Sequence, residues 1–173
     1  QAAAKQDRRY ERNVTALEKV QPEDIPSAYI PSRIGQTWIP AKVYETFLYE
    51  TFRVYATLDY VPILGRWSVQ IPGSDNVAAT QTYGTEDMTG PEIFETLLMG
   101  ETIEVTDPPE EKGAKRLKNT DKTNLALEKA EALKEHFNTW LWKDEQRAEA
   151  LARDYNDRFN RVVEPEWDGS HLT

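Results

Sequence analysis

The sequence predicts an α+β fold, with a small, mainly antiparallel central sheet flanked by N-terminal helices and a long C-terminal helical pair. Apolar residues recur at helical spacing in both end regions, and β-branched and aromatic residues are concentrated between them. Prolines and glycines separate the two patterns. We expect a single domain over residues 1–173. It comprises a helical region over residues 1–52, a sheet-containing centre over 53–119, a helical hairpin or bent helix over 120–163 and a tail over 164–173.

The N-terminal region predicts two helices separated by turns. Apolar residues spaced three and four apart indicate an amphipathic helix over residues 3–20, which Pro22 stops. Residues 21–40 are rich in proline and predict irregular structure. Pro40 suits the first turn of a second helix, because its missing N–H costs little there, and the apolar pattern continues to about Phe52.

The central region predicts a small sheet that carries one or two helices. The expected strands share a high content of β-branched and aromatic residues, and they are 53–60, 66–71, 77–83 and 102–106. Thr89 begins a short helix that Gly100 ends. Residues 115–119 can pair back with the last strand across a turn.

The C-terminal region returns to a helical pattern after Thr120. One continuous apolar stripe predicts a long helix, and its members are Leu125, Ala126, Ala130, Leu133, Phe137, Trp140 and Leu141. Asp144 suits the N-cap of a second helix that reaches Phe159. These two helices form the predicted C-terminal pair.

Composition narrows the class of protein. Hydrophobic residues make up 39% of the chain and charged residues 29%, which is typical of a globular protein. No apolar run reaches the roughly 18 residues of a membrane span, so we expect no membrane partner. The absence of cysteine excludes disulfides, thiol nucleophiles and cysteine-ligated metals, and it fits the reducing cytoplasm, where we expect the protein to act.

The distribution of charge indicates a first candidate contact surface. A net charge of −9 argues against a surface built throughout for phosphate. Residues 61–111 contain ten acids and one cation, Arg66. In contrast, residues 112–119 contain no acid and four cations, which are the leading candidates for nucleic-acid binding: Lys112, Lys115, Arg116 and Lys118.

A second candidate lies in residues 33–40, immediately before the second helix. Trp38 could stack on a nucleotide while Arg33 binds phosphate. Trp38 could equally fill the space between the helix and the sheet. Its flanking residues Ile34 and Ile39 favour the filling role.

Motifs of catalysis are missing from the sequence. The two histidines, His136 and His171, lack metal-ligand spacing, and no glycine-rich phosphate loop occurs. The Asn-Pro-Pro-Tyr-type motif of amino methyltransferases is absent too. Adjacent acids such as Glu86 and Asp87 are typical of solvated loops. The sequence therefore predicts no catalytic, cofactor-binding or metal-ligating residue.

Several short strings occur in order along the chain. They are Tyr10-Glu11-Arg12-Asn13-Val14, Val20-Gln21-Pro22-Glu23-Asp24, Arg33-Ile34-Gly35, Trp38-Ile39-Pro40, Trp67-Ser68-Val69, Tyr83-Gly84-Thr85, Phe137 with Trp140, Tyr155-Asn156 with Phe159-Asn160, and Asp168-Gly169-Ser170-His171-Leu172. This combination resembles the connector region that precedes the helicase core of large DNA methylase–helicase proteins. Phages, plasmids and other mobile elements carry such proteins.

The resemblance implies a role inside a larger parent protein. In that family an adenine-specific DNA methyltransferase precedes the region, and a Swi/Snf-like, DEAD/DEAH-type helicase follows it. ATP with Mg²⁺ and S-adenosylmethionine are thus implied for the parent alone, and the implied partners are the flanking methyltransferase and helicase domains and DNA. A start at Gln1 without Met, and an end soon after the last helix, also make us expect an excised domain.

Two functions remain open from the sequence. The leading expectation is a non-catalytic connector and DNA-contacting domain that positions the helicase motor relative to the methyltransferase. The alternative is a pure protein-interaction or scaffold module with an acidic docking face and no DNA contact, which the net charge of −9 favours. Neither expectation makes this chain an enzyme by itself.

Overall fold

The computed structural model describes residues 21–108 and 117–161, and these have the α+β composition that the sequence predicts. Within these ranges two strands and four α-helices follow in order, with short 3₁₀ and π turns between them. The elements are the 3₁₀ turn Ser27–Tyr29, α1 Ala41–Phe52, β1 Thr57–Val61, β2 Arg66–Gln70, the π turn Ala78–Thr82, α2 Gly90–Met99, α3 Thr120–Lys143, α4 Glu145–Tyr155 and the π turn Asn156–Asn160.

The chain divides into two compact units. The large unit is Pro31–Glu145, and it contains both strands and the first three α-helices. The small unit combines the described residues of Gln1–Ile30 with those of Gln146–Thr173. The predicted helix over 3–20 and the predicted tail 164–173 lie outside the described residues.

Aromatic rings form the centre of the core of the large unit. Phe47 of α1 is fully buried, and its ring centroid lies 5.1 Å from that of Phe137, 5.2 Å from Trp140 and 5.6 Å from Phe94. Tyr44 stacks on Phe137 at 5.5 Å. Aromatic pairs at these separations add to the stability that burial itself supplies. The first three helices are therefore locked together through one ring cluster.

The two strands form an antiparallel hairpin. Five residue pairs join them, from Thr57 with Gln70 to Val61 with Arg66. Leu58 and Trp67 are the buried members of the two strands, so their side chains tie the hairpin to the core. The Leu58 N–H also donates to Glu45 Oε1 at 3.1 Å, which fixes the hairpin against α1.

The helix α2 has the ends that the sequence predicts. Thr89 and Glu92 form a reciprocal capping box, in which the Thr89 N–H donates to Glu92 Oε2 at 2.7 Å. Gly100 ends the helix with φ of 71°, a left-handed conformation that glycine adopts without strain.

The two helices predicted for the C-terminal region are confirmed as α3 and α4, with Asp144 between them in the chain. The second ends at Tyr155 rather than Phe159, and a π turn continues to Asn160. Asn119 caps the start of α3, where its side chain accepts a bond from the Lys122 N–H at 3.0 Å. The predicted apolar stripe is buried except for Leu125, which is half exposed. Within residues 21–108 and 117–161, no helix combines the length and the apolar character that a bilayer crossing requires.

The predicted strand over residues 77–83 is wrong, because Ala78–Thr82 forms a π turn. The Asn76 side chain donates to Phe52 O at 2.7 Å and accepts from the Ala79 N–H at 2.7 Å. These bonds between a side chain and the backbone replace the ladder of a strand. Gly84 is required here, since a Cβ at this position would overlap the Ala79 carbonyl.

The predicted strand over residues 102–106 reduces to a single bridge between Thr106 and Lys118. The Val105 N–H donates to Thr123 Oγ1 of α3 at 3.0 Å, so a side chain takes a bond that a sheet would use. The predicted strand over residues 53–60 begins only at Thr57, because Arg53 takes a left-handed conformation to end α1.

The small unit is organised around the buried Asn156. Its side chain accepts from the Ile25 N–H at 2.8 Å and donates to Ile25 O at 3.0 Å, which pairs the two segments as a short strand would. Asn160 donates to Glu23 O at 2.8 Å. The apolar side chains of Ile30 and Leu151 are buried.

Candidate nucleic-acid interface

A cleft of about 320 Å³ opens on the large unit where three elements meet. The elements are the loop of residues 33–37, the turn end of the hairpin and the C-terminal end of α2. We call it the arginine cleft because Arg33 and Arg66 both line it, while no carboxylate of the described residues does. Its other polar side chains are Gln36, Thr37 and Tyr60.

The loop below Arg33 is held by the side chain of Gln36. Gln36 Oε1 accepts from the Arg33 N–H at 2.7 Å and from Trp38 Nε1 at 3.2 Å. The Gln36 N–H also donates to Arg33 O at 3.3 Å. A ring of local bonds thus closes the loop and fixes the backbone that carries Arg33.

The hydroxyl of Tyr44 supports the same loop from the core. It lies 3.0 Å from Gln36 O and 3.3 Å from Arg33 O, so its proton is shared between two carbonyls. Burial raises the pKa of Tyr44 far above its ordinary value. The hydroxyl therefore keeps its proton at working pH.

Gly35 brings the loop against the end of α2. Its φ is 93°, and a Cβ added there would lie 2.9 Å from Leu98 O. Both facts require glycine, because a side chain would meet strain and a backbone atom together. Trp67 Nε1 donates to Gly35 O at 3.2 Å and so joins the hairpin to the loop.

Trp38 fills the interior, as its isoleucine neighbours indicated. The side chain is only 8% exposed and does not line the arginine cleft. A buried ring has no open face for a base, so the idea that Trp38 stacks on a nucleotide is corrected. Arg33 is exposed and lines the cleft.

The basic cluster lies mostly outside the described residues. Lys112, Lys115 and Arg116 fall in the range that the structure does not describe, and Lys118 alone is described. Lys118 Nζ lies 3.4 Å from Glu104 Oε2, with both side chains about half exposed. Its charge is therefore partly offset by a neighbouring carboxylate, and the role of the cluster stays a prediction.

Arg66 is a cleft residue that the sequence does not single out as a ligand-binding candidate. In the sequence it stands out only as the one cation of an acidic stretch. Its proximity to the loop of Arg33 depends on the hairpin, which brings together segments of the chain about 30 residues apart. Within the described residues, the Arg33 and Arg66 guanidinium groups form no ion pair.

An acidic groove of about 490 Å³ also lies on the large unit. Its carboxylates are Asp87, Glu92, Glu95, Glu101 and Glu104. Lys122 Nζ binds Asp87 at 2.8 Å and Asp107 at 3.3 Å, and these bonds raise the pKa of Lys122. Among the residues that the structure describes, no group of three or more histidine and acidic side chains is placed to hold a metal ion.

A family model described as "Domain of unknown function (DUF8437)" matches residues 33–161. The chain belongs to this family. The matched range contains Arg33, Arg66 and all the carboxylates of the acidic groove. No curated protein and no solved structure matches the chain.

Proposed function

We propose that this chain is a non-catalytic connector and DNA-contacting domain, which positions a helicase motor relative to a methyltransferase. The observation that carries the proposal is the arginine cleft, which Arg33 and Arg66 both line and which no described carboxylate lines. The resemblance of the spaced strings to methylase–helicase connectors supports the same role.

The chemistry of the cleft suits a phosphodiester backbone. A guanidinium is planar, always charged and able to donate two parallel bonds to phosphate oxygens. Arg33 comes from a loop that Tyr44 and Gln36 hold, and Arg66 comes from a strand, so the cations do not depend on one flexible segment. Contacts of this kind fix register and orientation on DNA without reading its sequence.

The positioning role requires a rigid domain, and the packing of α3 in the large unit is consistent with this requirement. The helix α3 has 24 residues, which gives a length of about 36 Å at 1.5 Å per residue. Three of its aromatic and apolar side chains, Phe137, Trp140 and Leu141, are buried in the core. DNA bound at the cleft would therefore have a fixed orientation relative to the large unit. ATP, Mg²⁺ and S-adenosylmethionine would belong to the flanking domains, and the cytoplasm is the compartment that such a role requires.

Fluorescence anisotropy with labelled duplex, forked and single-stranded DNA tests the proposal. We expect salt-sensitive binding in which Arg33→Ala with Arg66→Ala weakens affinity and reduces the slope of log K against log salt by about two. The control is Arg153→Ala with Arg158→Ala, which changes the net charge equally in the small unit. Binding that is absent at low salt, or equally weakened by both pairs, contradicts the proposal.

The second candidate function is a protein-interaction or scaffold module, and the acidic groove is the observation that favours it. Five carboxylates line that groove, and Lys122 is bound at its edge, through Asp87. A basic segment of a neighbouring domain has complementary charge. Binding of a lysine-rich peptide that Glu95→Gln with Glu101→Gln abolishes, together with no DNA binding by the unaltered chain, would select this candidate.

A further inference from the structure

The turn of the hairpin presents two neighbouring apolar side chains to solvent. Ile63 is 96% exposed and Leu64 is 60% exposed. Single exposed apolar residues are ordinary, but this pair lies at the end of a hairpin, where folding favours Asn, Asp or Gly. Ile63 contributes almost no buried surface to the fold, and more than half of Leu64 stays in solvent. The sequence Pro62-Ile63-Leu64-Gly65 therefore carries apolar surface that the turn itself does not need.

The position of this tip is fixed by the structure beneath it. The Leu64 N–H donates to Val61 O at 3.1 Å, and the Gly65 N–H donates to Pro62 O at 3.2 Å. Below the turn, the buried Trp67 ring packs edge-on against Tyr60 at 5.4 Å and Tyr44 at 5.5 Å. The apolar side chains are thus held out on a hairpin that is anchored to the aromatic core.

The tip is continuous with the arginine cleft. Gly65 and Arg66 follow Leu64 directly, and both line the cleft beside Arg33. Ile63 and Arg66 are three positions apart in the chain, which is a reach of at most about 10 Å. That reach corresponds to about three phosphates of one strand, at about 3.4 Å of helix axis each. A cation for phosphate and an apolar group for bases therefore lie within one short stretch of duplex.

From this juxtaposition we infer that Ile63 and Leu64 insert as an apolar wedge between stacked bases of duplex DNA, while Arg66 and Arg33 bind the neighbouring phosphates. The inference rests on the proposed DNA contact and adds a mechanical role to it. Apolar side chains inserted at a base step partly unstack it and kink the duplex, at a cost that backbone contacts repay. A lipid surface or an apolar protein groove would use the tip but would not require the carboxylate-free cleft beside it.

The test uses the full chain and a duplex that carries 2-aminopurine at its centre, because the fluorescence of this base rises when it is unstacked. At saturating protein we expect a rise with the unaltered chain. Ile63→Ser with Leu64→Ser should lose the rise while Kd changes by less than about tenfold, since the arginine contacts remain. Ile63→Val with Leu64→Val keeps the apolar character and should keep the rise.

The matched control removes two other exposed apolar side chains. Leu125→Gln with Leu127→Gln acts on α3, where the two leucines are 47% and 43% exposed, and it should leave the rise unchanged. Circular dichroism melts of all variants establish that each one is folded. The exposed positions of Ile63 and Leu64 make loss of the fold by serine unexpected.

Several outcomes overturn the inference. If the serine variant unstacks the base as the unaltered chain does, or if the unaltered chain binds without any rise, the wedge is wrong while the proposed DNA contact is not affected. If the unaltered chain binds no DNA form, the wedge and the proposed function both fall. Binding to phosphatidylcholine vesicles that the serine pair abolishes, without DNA binding, would assign the tip to a lipid surface instead.

Discussion

The hydroxyl of Tyr44 shows how one buried atom supports the candidate site. It donates to the carbonyls of the loop that carries Arg33, and burial keeps it protonated because the raised pKa lies far above working pH. Without that proton the two carbonyls lose a buried partner. The geometry of the cleft therefore depends on a residue that does not line it.

We expect Tyr44→Phe to reduce the free energy of unfolding by about 1 kcal/mol, because it removes the hydroxyl that two carbonyls share, while each carbonyl keeps a backbone bond at 3.3 Å. Urea denaturation measures this, and DNA affinity should fall as the loop of residues 33–37 loosens. The control is Tyr55→Phe, because Tyr55 is largely exposed and should leave stability unchanged. Equal effects of the two changes would contradict the role of Tyr44.

His136 makes stability depend on pH. Its ring lies between Phe47 at 5.4 Å and Tyr83 at 5.1 Å, with Nε2 at 3.4 Å from Thr51 Oγ1. Burial lowers the pKa of His136 below its ordinary value. The unfolded chain therefore takes up the proton first as pH falls, so this stabilising contribution is complete above about pH 6.5 and is lost progressively below it.

His136→Gln should remove this contribution to the pH dependence. The free energy of unfolding, measured by urea denaturation between neutral pH and about pH 5.5, should fall more steeply for the unaltered chain than for the variant. Carboxylates titrate at lower pH and are common to both proteins. Parallel curves would mean that the imidazole is protonated equally in the folded and unfolded chains.

At the scale of elements, the arginine cleft forms where the backbone of the loop of residues 33–37 comes close to the end of α2. Gly35 and Gly65 both have positive φ, but their surroundings differ. A Cβ at Gly35 would meet the Leu98 carbonyl at 2.9 Å, whereas one at Gly65 would meet nothing within 4 Å. Comparison of the two positions thus separates backbone strain from steric exclusion.

We expect Gly65→Ala to lower the free energy of unfolding by about 1–2 kcal/mol, which is the strain of a left-handed residue alone. Gly35→Ala should lower the free energy of unfolding by clearly more, because the loop must also move away from α2. This change should also weaken DNA binding. Thermal melts and anisotropy provide the two readouts. If both changes cost the same, the close approach of the loop to the helix end is not what holds the cleft.

Some elements could be predicted because their signals are local. Thr89, Glu92 and Gly100 determine the ends of α2 through the capping box and the terminal glycine. The strand expected at residues 77–83 failed for a reason that is not local: the Asn76 side chain bonds to Phe52 O, 24 residues away. Arg66 could not be selected for a similar reason, since its meeting with the loop of Arg33 exists only after folding.

At the scale of the whole molecule, charge limits what the cleft can do. The net charge of −9 repels DNA at long range, so affinity must come from a few cations that act at short range. Binding should therefore be modest and fall steeply with salt. The long apolar stripe of α3 made the helical end of the fold predictable. The charge balance, in contrast, did not decide between a DNA-contacting and a scaffold function.

The four basic residues of the cluster should add to this short-range attraction. Replacement of Lys112, Lys115, Arg116 and Lys118 by alanine is expected to weaken DNA binding and to flatten its salt dependence. A control with the same charge change replaces four other cations by alanine, namely Lys134, Lys143, Arg153 and Arg158. No difference between the unaltered chain and the cluster variant in either quantity would remove the assignment.

The most direct test of the central claim follows the guanidinium N–H resonances of the arginines by NMR during titration with a short duplex at low salt. We expect the Arg33 and Arg66 resonances to shift together, with the indole N–H of Trp67, while those of Arg153 and Arg158 stay in place. Shifts confined to the backbone around the acidic groove, or no shift at the two cleft arginines, would contradict DNA contact through the arginine cleft.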